Sequence, residues 1–99
     1  MNVIIEAPFQ VNEHQKEAIN KKMESLDKFN ARISKSVVYI KMMDDSGPNT
    51  YTSEVELIMP GPDIFASASD SDLLKSFSKA FKQAKTQLLK RKDQLKDLH

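Results

Sequence analysis

The sequence predicts a single α+β domain with the element order β-α-β-β-β-α, in which two helices pack on one face of a four-stranded sheet. The chain has 99 residues, enough for one domain built around one core. Its apolar residues change between the spacing of an amphipathic helix and the alternation of a strand. Three of the predicted strands follow one another through short connections, which is typical of an antiparallel meander.

The first strand and the first helix are predicted in the N-terminal third of the chain. A β-rich run over residues 2–7 ends at Pro8, because proline has no backbone N–H to donate to a neighbouring strand. Asn12 is a favourable N-cap, and Gln15 three residues later completes a capping-box pattern. A helix over about 13–28 follows. Its apolar face consists of Ala18, Ile19, Met23, Leu26 and Phe29.

Three further strands are predicted over residues 33–43, 51–59 and 64–69, since β-branched and aromatic residues alternate there with polar ones. Residues 44–50 have the composition of a turn, and Pro60–Pro62 predicts a tight turn. The side chains expected on the core face of the first two of these strands are Val38, Ile40, Met42, Val55, Leu57 and Met59.

The last third of the chain predicts a long amphipathic helix, with Asp70 or Ser71 as its N-cap. Its apolar positions are Leu74, Phe77, Phe81, Ala84, Leu88 and Leu95. Between Asp72 and Lys96 the chain has eight basic and two acidic residues, whereas the remainder has seven basic and twelve acidic ones. Such charge asymmetry indicates contact with nucleic acid or a membrane surface. The alternative is a solvated, lysine-rich helix face.

The basic residues of this helix are candidate RNA contacts, because a Lys or Arg beside a phosphate releases condensed counterions. At about 100° per residue, Lys79, Lys82 and Lys90 lie within about 60° of Lys75 and opposite the apolar residues. The candidates on the helix are Lys75, Lys79, Lys82, Lys85, Lys90, Arg91 and Lys92.

The aromatic residues indicate packing more than base stacking. Phe77 and Phe81 lie on the apolar face and are expected in the core. Tyr39 points away from the apolar strand face, where we expect it to cover the sheet, with stacking on a base as the alternative. Leu89 falls among the basic residues and is expected to be exposed.

Several short motifs occur in an order and spacing that resemble one known family. Gln87–Asp93 is similar to the family's Q-L-x-K-x-K-D, and Ala66–Ala68 followed by Asp72 is similar to its A-x-A…D. A third similarity to the family is the spacing of residues in and after the first helix. These residues are Lys16, Glu17, Lys22, Leu26, Phe29, Arg32 and Ile33. On these residues the chain resembles the ribosome hibernation-promoting factor and ribosome-associated inhibitor family (sigma-54 modulation proteins), in its short form.

This resemblance implies a ribosome hibernation factor of stress and stationary phase. Such a protein inhibits translation by binding the small ribosomal subunit in the channel of messenger RNA and tRNA, where it contacts 16S ribosomal RNA. The matching basic positions are Lys16, Lys22, Arg32, Lys90 and Lys92. The resemblance also implies that residues 1–99 form a single ribosome-binding domain without the C-terminal dimerisation domain of long-form members. We expect a monomer.

The composition argues against catalysis, cofactors and membranes. There is no Cys, and with only two His the usual zinc and haem ligand sets cannot be assembled. Two glycines far apart provide no Gly-rich phosphate loop. No apolar run approaches the roughly 20 residues of a membrane span, and the N-terminus lacks a signal-peptide pattern. We therefore expect a cytoplasmic non-enzyme without metal, cofactor, small-molecule substrate or membrane partner.

Two other functions stay open on the residues alone. One is a general double-stranded RNA-binding module, which would bind isolated duplex RNA. The other is a protein–protein module that regulates transcription, in which the basic helix meets an acidic partner and binding survives ribonuclease.

Overall fold

The computed structural model describes residues 2–29, 31–43 and 50–97, with side chains as far as Arg91. The predicted turn over 44–50 lies outside these residues except for Thr50, which begins a strand. The elements are β1 (Val3–Glu6), α1 (Glu13–Glu24), a 3-10 helix (Ser25–Phe29), β2 (Lys35–Met43), β3 (Thr50–Ile58), β4 (Ile64–Asp70) and α2 (Leu73–Asp97). The predicted α+β class and order of elements are confirmed.

The four strands form one sheet in the order β1-β2-β3-β4. The pairs β2–β3 and β3–β4 are antiparallel, as the short connections predict, whereas β1 and β2 are parallel. The parallel pair follows from α1, because a parallel neighbour needs a crossover and a helix provides it. Ile5, Val38, Val55 and Ala66 are register partners in sequence and form a row across all four strands on the face that the helices cover.

Both helices pack on this covered face and share one hydrophobic core. The predicted core residues Ile19, Val38, Leu57 and Phe77 are at most 2% exposed. Met42 shares their alternation but is 42% exposed, because it lies near the end of β2, beyond the last buried residue of that strand. Leu95 lies outside the described side chains.

The first helix ends earlier than predicted. The capping box is confirmed, since Asn12 Oδ1 accepts a hydrogen bond from the Gln15 N–H at 2.8 Å and Gln15 Oε1 accepts one from the Asn12 N–H at 3.3 Å. After Glu24 the chain tightens into the 3-10 helix, where the Ser25 hydroxyl donates to the Lys22 carbonyl. Leu26, which was predicted on the apolar face of the first helix, is fully buried within this segment.

The predicted N-cap of the second helix is wrong. Neither Asp70 nor Ser71 caps α2; Asp72 Oδ2 accepts the hydrogen bond from the Lys75 N–H at 3.0 Å. The shift has a physical cause, because β4 continues to Asp70, which pairs with Tyr51 on β3. Asp70 instead holds the turn before the helix by accepting a hydrogen bond from the Asp72 N–H at 2.9 Å.

Candidate nucleic-acid interface

Lysines from both helices converge on two phenylalanine rings. Lys22 Nζ of α1 lies 5.8 Å from the centroid of the Phe81 ring on α2. Around Phe29 of the 3-10 helix, Lys28 Nζ lies 5.3 Å and Lys85 Nζ of α2 lies 5.8 Å from the ring centroid. These distances suit cation–π contacts, which hold an ammonium group beside a ring face. We call the three lysines and two rings the basic groove.

Lys28 is a member of the basic groove that the helical pattern did not indicate. In a continuous α-helix of about 100° per residue, Lys28 would point about 120° away from Lys22. The 3-10 geometry turns about 120° per residue over Ser25–Phe29 and brings Lys28 to within about 60° of Lys22. The 3-10 segment was not predicted, and Lys28 was not among the predicted RNA contacts.

The outward surface of α2 carries the predicted candidates Lys75, Lys82 and Lys90. All three are exposed, and among the described residues none has a carboxylate partner within ion-pair distance. Leu89 is 36% exposed beside them, as predicted. This surface therefore presents ammonium groups whose charge is balanced by solvent ions, which is the arrangement that gains from phosphate contact.

Lys79 is different, because its charge is balanced within the molecule. Its Nζ lies 2.8 Å from Asp70 Oδ2 and 3.5 Å from the carbonyl oxygen of Ser69. The hydrogen bond from Lys79, followed by the one from the Asp72 N–H, lowers the pKa of the Asp70 carboxyl from 3.8 to about 2. Lys79 thus ties α2 to β4, and a contact of Lys79 with RNA stays a prediction.

A second side chain of α2 also reaches the outer edge of β4. Gln87 Nε2 donates a hydrogen bond to the carbonyl oxygen of Phe65 at 3.0 Å. Together with Lys79 on Ser69, it occupies carbonyl groups that an edge strand would otherwise offer to another chain. Two polar residues of the helix surface therefore protect the sheet edge.

Other predicted RNA-binding residues lie at separate places. Arg91 is half-buried at the flank of the apolar stripe, and its Nη1 is buried with no hydrogen-bond partner among the described residues. Lys16 forms a loose ion pair with Glu13, at 3.7 Å between Nζ and Oε1. The side chain of Lys92 lies outside the described residues.

Arg32 lies in the connection between the 3-10 helix and β2. It has a φ of 58°, in the left-handed region that few non-glycine residues adopt. Its side chain is exposed beside an open depression. The residues of that depression are Leu26, Asp27, Ala31, Arg32 and Ile33. Of the predicted set, the structure therefore brings Lys22 and Lys85 into one groove and leaves Arg32 outside it.

The opposite face of the sheet, which no helix covers, is acidic around Tyr39. Glu6 and Glu54 are the register partners of Tyr39 on the neighbouring strands. Desolvation, then the charges of Glu56, Glu6 and Glu54, raise the pKa of the Tyr39 hydroxyl. Of these three carboxylates, Glu54 alone forms an ion pair within the described residues, with Lys41 Nζ at 3.1 Å. These carboxylates repel phosphate, so the helical side is the face suited to RNA.

The part of the chain that the structure describes contains neither a cluster of metal ligands nor a membrane-spanning helix. No group of three or more His, Asp or Glu side chains there is placed to hold a metal ion. No helix there is both long and apolar enough to cross a membrane.

Solved structures of other proteins share this fold, among them the following two. One is a ribosomal subunit interface protein from Coxiella burnetii, with a TM-score of 0.81, 19% sequence identity and coverage of 94% of this chain and 99% of that chain. The other is the N-terminal domain of Protein Y from Thermus thermophilus, with a TM-score of 0.74, 19% identity and coverage of 89% and 96%. At this identity they establish the fold alone. No curated protein is significantly similar to the chain in sequence.

The family is established by a separate comparison. The sequence pattern described as "Sigma 54 modulation protein / S30EA ribosomal protein" matches residues 4–96. The match therefore extends from β1 into α2, without Val3 and Asp97 at their ends, and includes the basic groove. The broad role that membership supports is association with the ribosome, and the resemblance seen in the short motifs is confirmed. The chain belongs to the sigma-54 modulation protein / S30EA ribosomal protein family.

Proposed function

We propose that the protein inhibits translation by occupying the channel of messenger RNA and tRNA on the small ribosomal subunit. The observation that carries the proposal is the convergence of Lys22 and Lys85 from two helices, next to the exposed ammonium groups of Lys75, Lys82 and Lys90. Family membership supports the ribosome as partner. The similar Coxiella burnetii protein is named for a ribosomal subunit interface, which agrees with a site between the subunits.

The physical basis is electrostatic attraction without sequence readout. Ammonium groups act as point charges towards phosphate, and structured RNA is recognised largely through its shape and backbone. With 25 residues, α2 is about 37 Å long, so its exposed lysines are spread over a row rather than one point. Several phosphate contacts made along this row would orient the domain.

The proposed mechanism is steric. Residues 1–99 act as one rigid ribosome-binding domain, whose volume excludes messenger RNA and tRNA from the channel. Inhibition then needs no catalytic group, and translation resumes when the domain dissociates. Each bound domain blocks one subunit, so one copy per small subunit is the expected stoichiometry.

The test compares partners and order of addition. We expect the purified protein to cosediment with small subunits, to lose that binding after ribonuclease treatment, and to bind isolated duplex RNA much more weakly. In a bacterial translation extract, inhibition should saturate, and messenger RNA with tRNA added first should protect the ribosomes.

Three results would contradict this function. Equal affinity for isolated duplex RNA would identify a general double-stranded RNA-binding module. Binding that survives ribonuclease would identify a protein–protein module. Inhibition that is independent of the order of addition would place the protein at another site on the ribosome.

A further inference from the structure

The basic groove differs from the rest of the helical surface because aromatic rings hold its ammonium groups. Lys22 lies over Phe81, while Lys28 and Lys85 share Phe29. The groove is also built from three separate elements: α1, the 3-10 helix and α2. By contrast, Lys75, Lys82 and Lys90 have no aromatic contact among the described residues.

A held ammonium group binds phosphate better than a mobile one. A free lysine side chain samples many rotamers, and fixing it on a ligand costs conformational entropy. The ring contact already restricts the lysine side chain in the free protein. Less conformational entropy is therefore lost when that lysine binds a phosphate. The ring face attracts the cation without an oxygen acceptor, so the N–H groups of each ammonium that point away from the ring stay available to phosphate oxygens.

The two rings themselves are placed by the core. Phe81 is 5% exposed and contacts Phe77, with 5.9 Å between ring centroids. Phe29 is half-buried and packs against the same core. Packing therefore determines the positions of the rings, and the rings in turn restrict the positions of the lysine side chains that lie over them.

We propose that Phe29 and Phe81 are positioning residues of a phosphate-binding groove, in which they orient Lys22, Lys28 and Lys85 towards the RNA backbone. The inference rests on the proposed function, because the phosphates are taken to be those of the ribosomal RNA. It adds Lys28 to the proposed RNA contacts. It also gives Phe29 and Phe81 a second role in addition to packing in the core.

The experiment replaces the rings while preserving apolar volume. Phe29→Leu and Phe81→Leu remove the π face. Phe9→Leu is the matched control, because Phe9 is half-buried like Phe29 and, among the described residues, no lysine lies over its ring. Affinity for small subunits should fall threefold or more in Phe29→Leu and Phe81→Leu and should be unchanged in Phe9→Leu. Phe29→Trp should restore binding, since Trp has the strongest cation–π face.

Two further readouts separate positioning from loss of charge or fold. In Phe29→Leu the slope of log affinity against log salt should be unchanged, because all ammonium groups remain, whereas Lys28→Gln should make it shallower by roughly 0.7–0.9. In the free protein, the ε-methylene protons of Lys28 and Lys85 should show ring-current NMR shifts that disappear in Phe29→Leu.

The outcomes distinguish this inference from the proposed function. If the unmodified protein binds small subunits and Phe29→Leu binds equally well, the positioning role is overturned and the proposed function stands. The same conclusion follows if Phe9→Leu loses as much affinity as Phe29→Leu. If the unmodified protein fails to bind small subunits, the proposed function is overturned, and the groove's role in RNA binding with it.

Discussion

The two sides of the sheet carry opposite chemistry, although the same strands build both. On the covered side, Val38 and Val55 lie beneath two helices whose outer surface presents lysines. On the open side, Glu6 and Glu56 lie near Tyr39 with Phe65 exposed at the edge. The net charge of +1 hides this separation. Strand alternation therefore places the apolar residues on the covered side and the carboxylates near Tyr39 on the open side. As a result, the helical side is the one suited to bind a polyanion.

The largest expected difference between the two sides is in packing, and two phenylalanines allow a matched test. Phe77 on the covered side is 2% exposed, whereas Phe65 on the open side is 51% exposed. Phe77→Ala should lower the free energy of unfolding by about 3–5 kcal/mol, and Phe65→Ala by about 1 kcal/mol or less. Urea unfolding measures both. Equal costs would mean that the open side is buried in solution, and the comparison would fail.

Hydroxyl pairs on the two sides provide the next test. Ser53 and Ser76 are buried with 2.7 Å between their oxygens, and Ser76 also donates to the Leu73 carbonyl. Ser76→Ala leaves the Ser53 hydroxyl without its partner in the core, which should cost about 1–3 kcal/mol. On the open side, where the oxygens of Thr52 and Ser69 lie 2.8 Å apart, Ser69→Ala should cost within about 0.5 kcal/mol.

The double variant Ser53→Ala/Ser76→Ala is the control for this test. Removing both hydroxyls leaves no unpartnered donor, so the double variant should be more stable than Ser76→Ala alone. A double variant that is less stable than the single one would contradict this explanation and would point to a cavity as the cause.

The two sides should also differ in RNA binding. Lys82→Gln/Lys85→Gln removes two charges from the helical side, and Lys35→Gln/Lys41→Gln removes two from the strand β2. The first variant should bind small subunits more weakly, with a salt slope shallower by roughly 1.4–1.8 if both lysines contact phosphates. The second should bind like the unmodified protein. Equal losses in the two variants would show that binding follows net charge and not the helical surface.

The smallest expected effect concerns the ion pair at the boundary between the two sides. The pKa of Asp70 is lowered to about 2, so its pairing with Lys79 stabilises the fold above about pH 4 and is lost as the pH falls towards 2. Lys79→Gln should therefore be less stable than the unmodified protein at pH 5, with the difference shrinking near pH 2. Lys82 has no such ion pair with any described residue, so Lys82→Gln should show no such pH dependence. A difference that is constant with pH would contradict the assignment.

The parts of the fold that were predicted correctly are those that depend on residues close together in the sequence. The capping box at Asn12, the alternation around Val38 and the exposure of Leu89 depend on residues within a few positions of one another. The predicted cap of α2 failed because the end of β4 is decided by its pairing with Tyr51, a residue on another strand. Of the site, the helical wheel correctly indicated the exposed row of Lys75, Lys82 and Lys90, but it showed neither which charges are paired nor which lie beside rings.

Side-chain periodicity and capping act between near neighbours, so the amino-acid order alone sets the order of elements, the apolar and basic faces of α2, and the family motifs. Folding adds the parallel pairing of β1, the ion pair of Lys79 with Asp70, and the contact of Lys28 and Lys85 with Phe29. In each of these cases the partners are distant along the chain or depend on a change of helix type. Their meeting is therefore set by how the helices pack on the sheet, which no local pattern encodes.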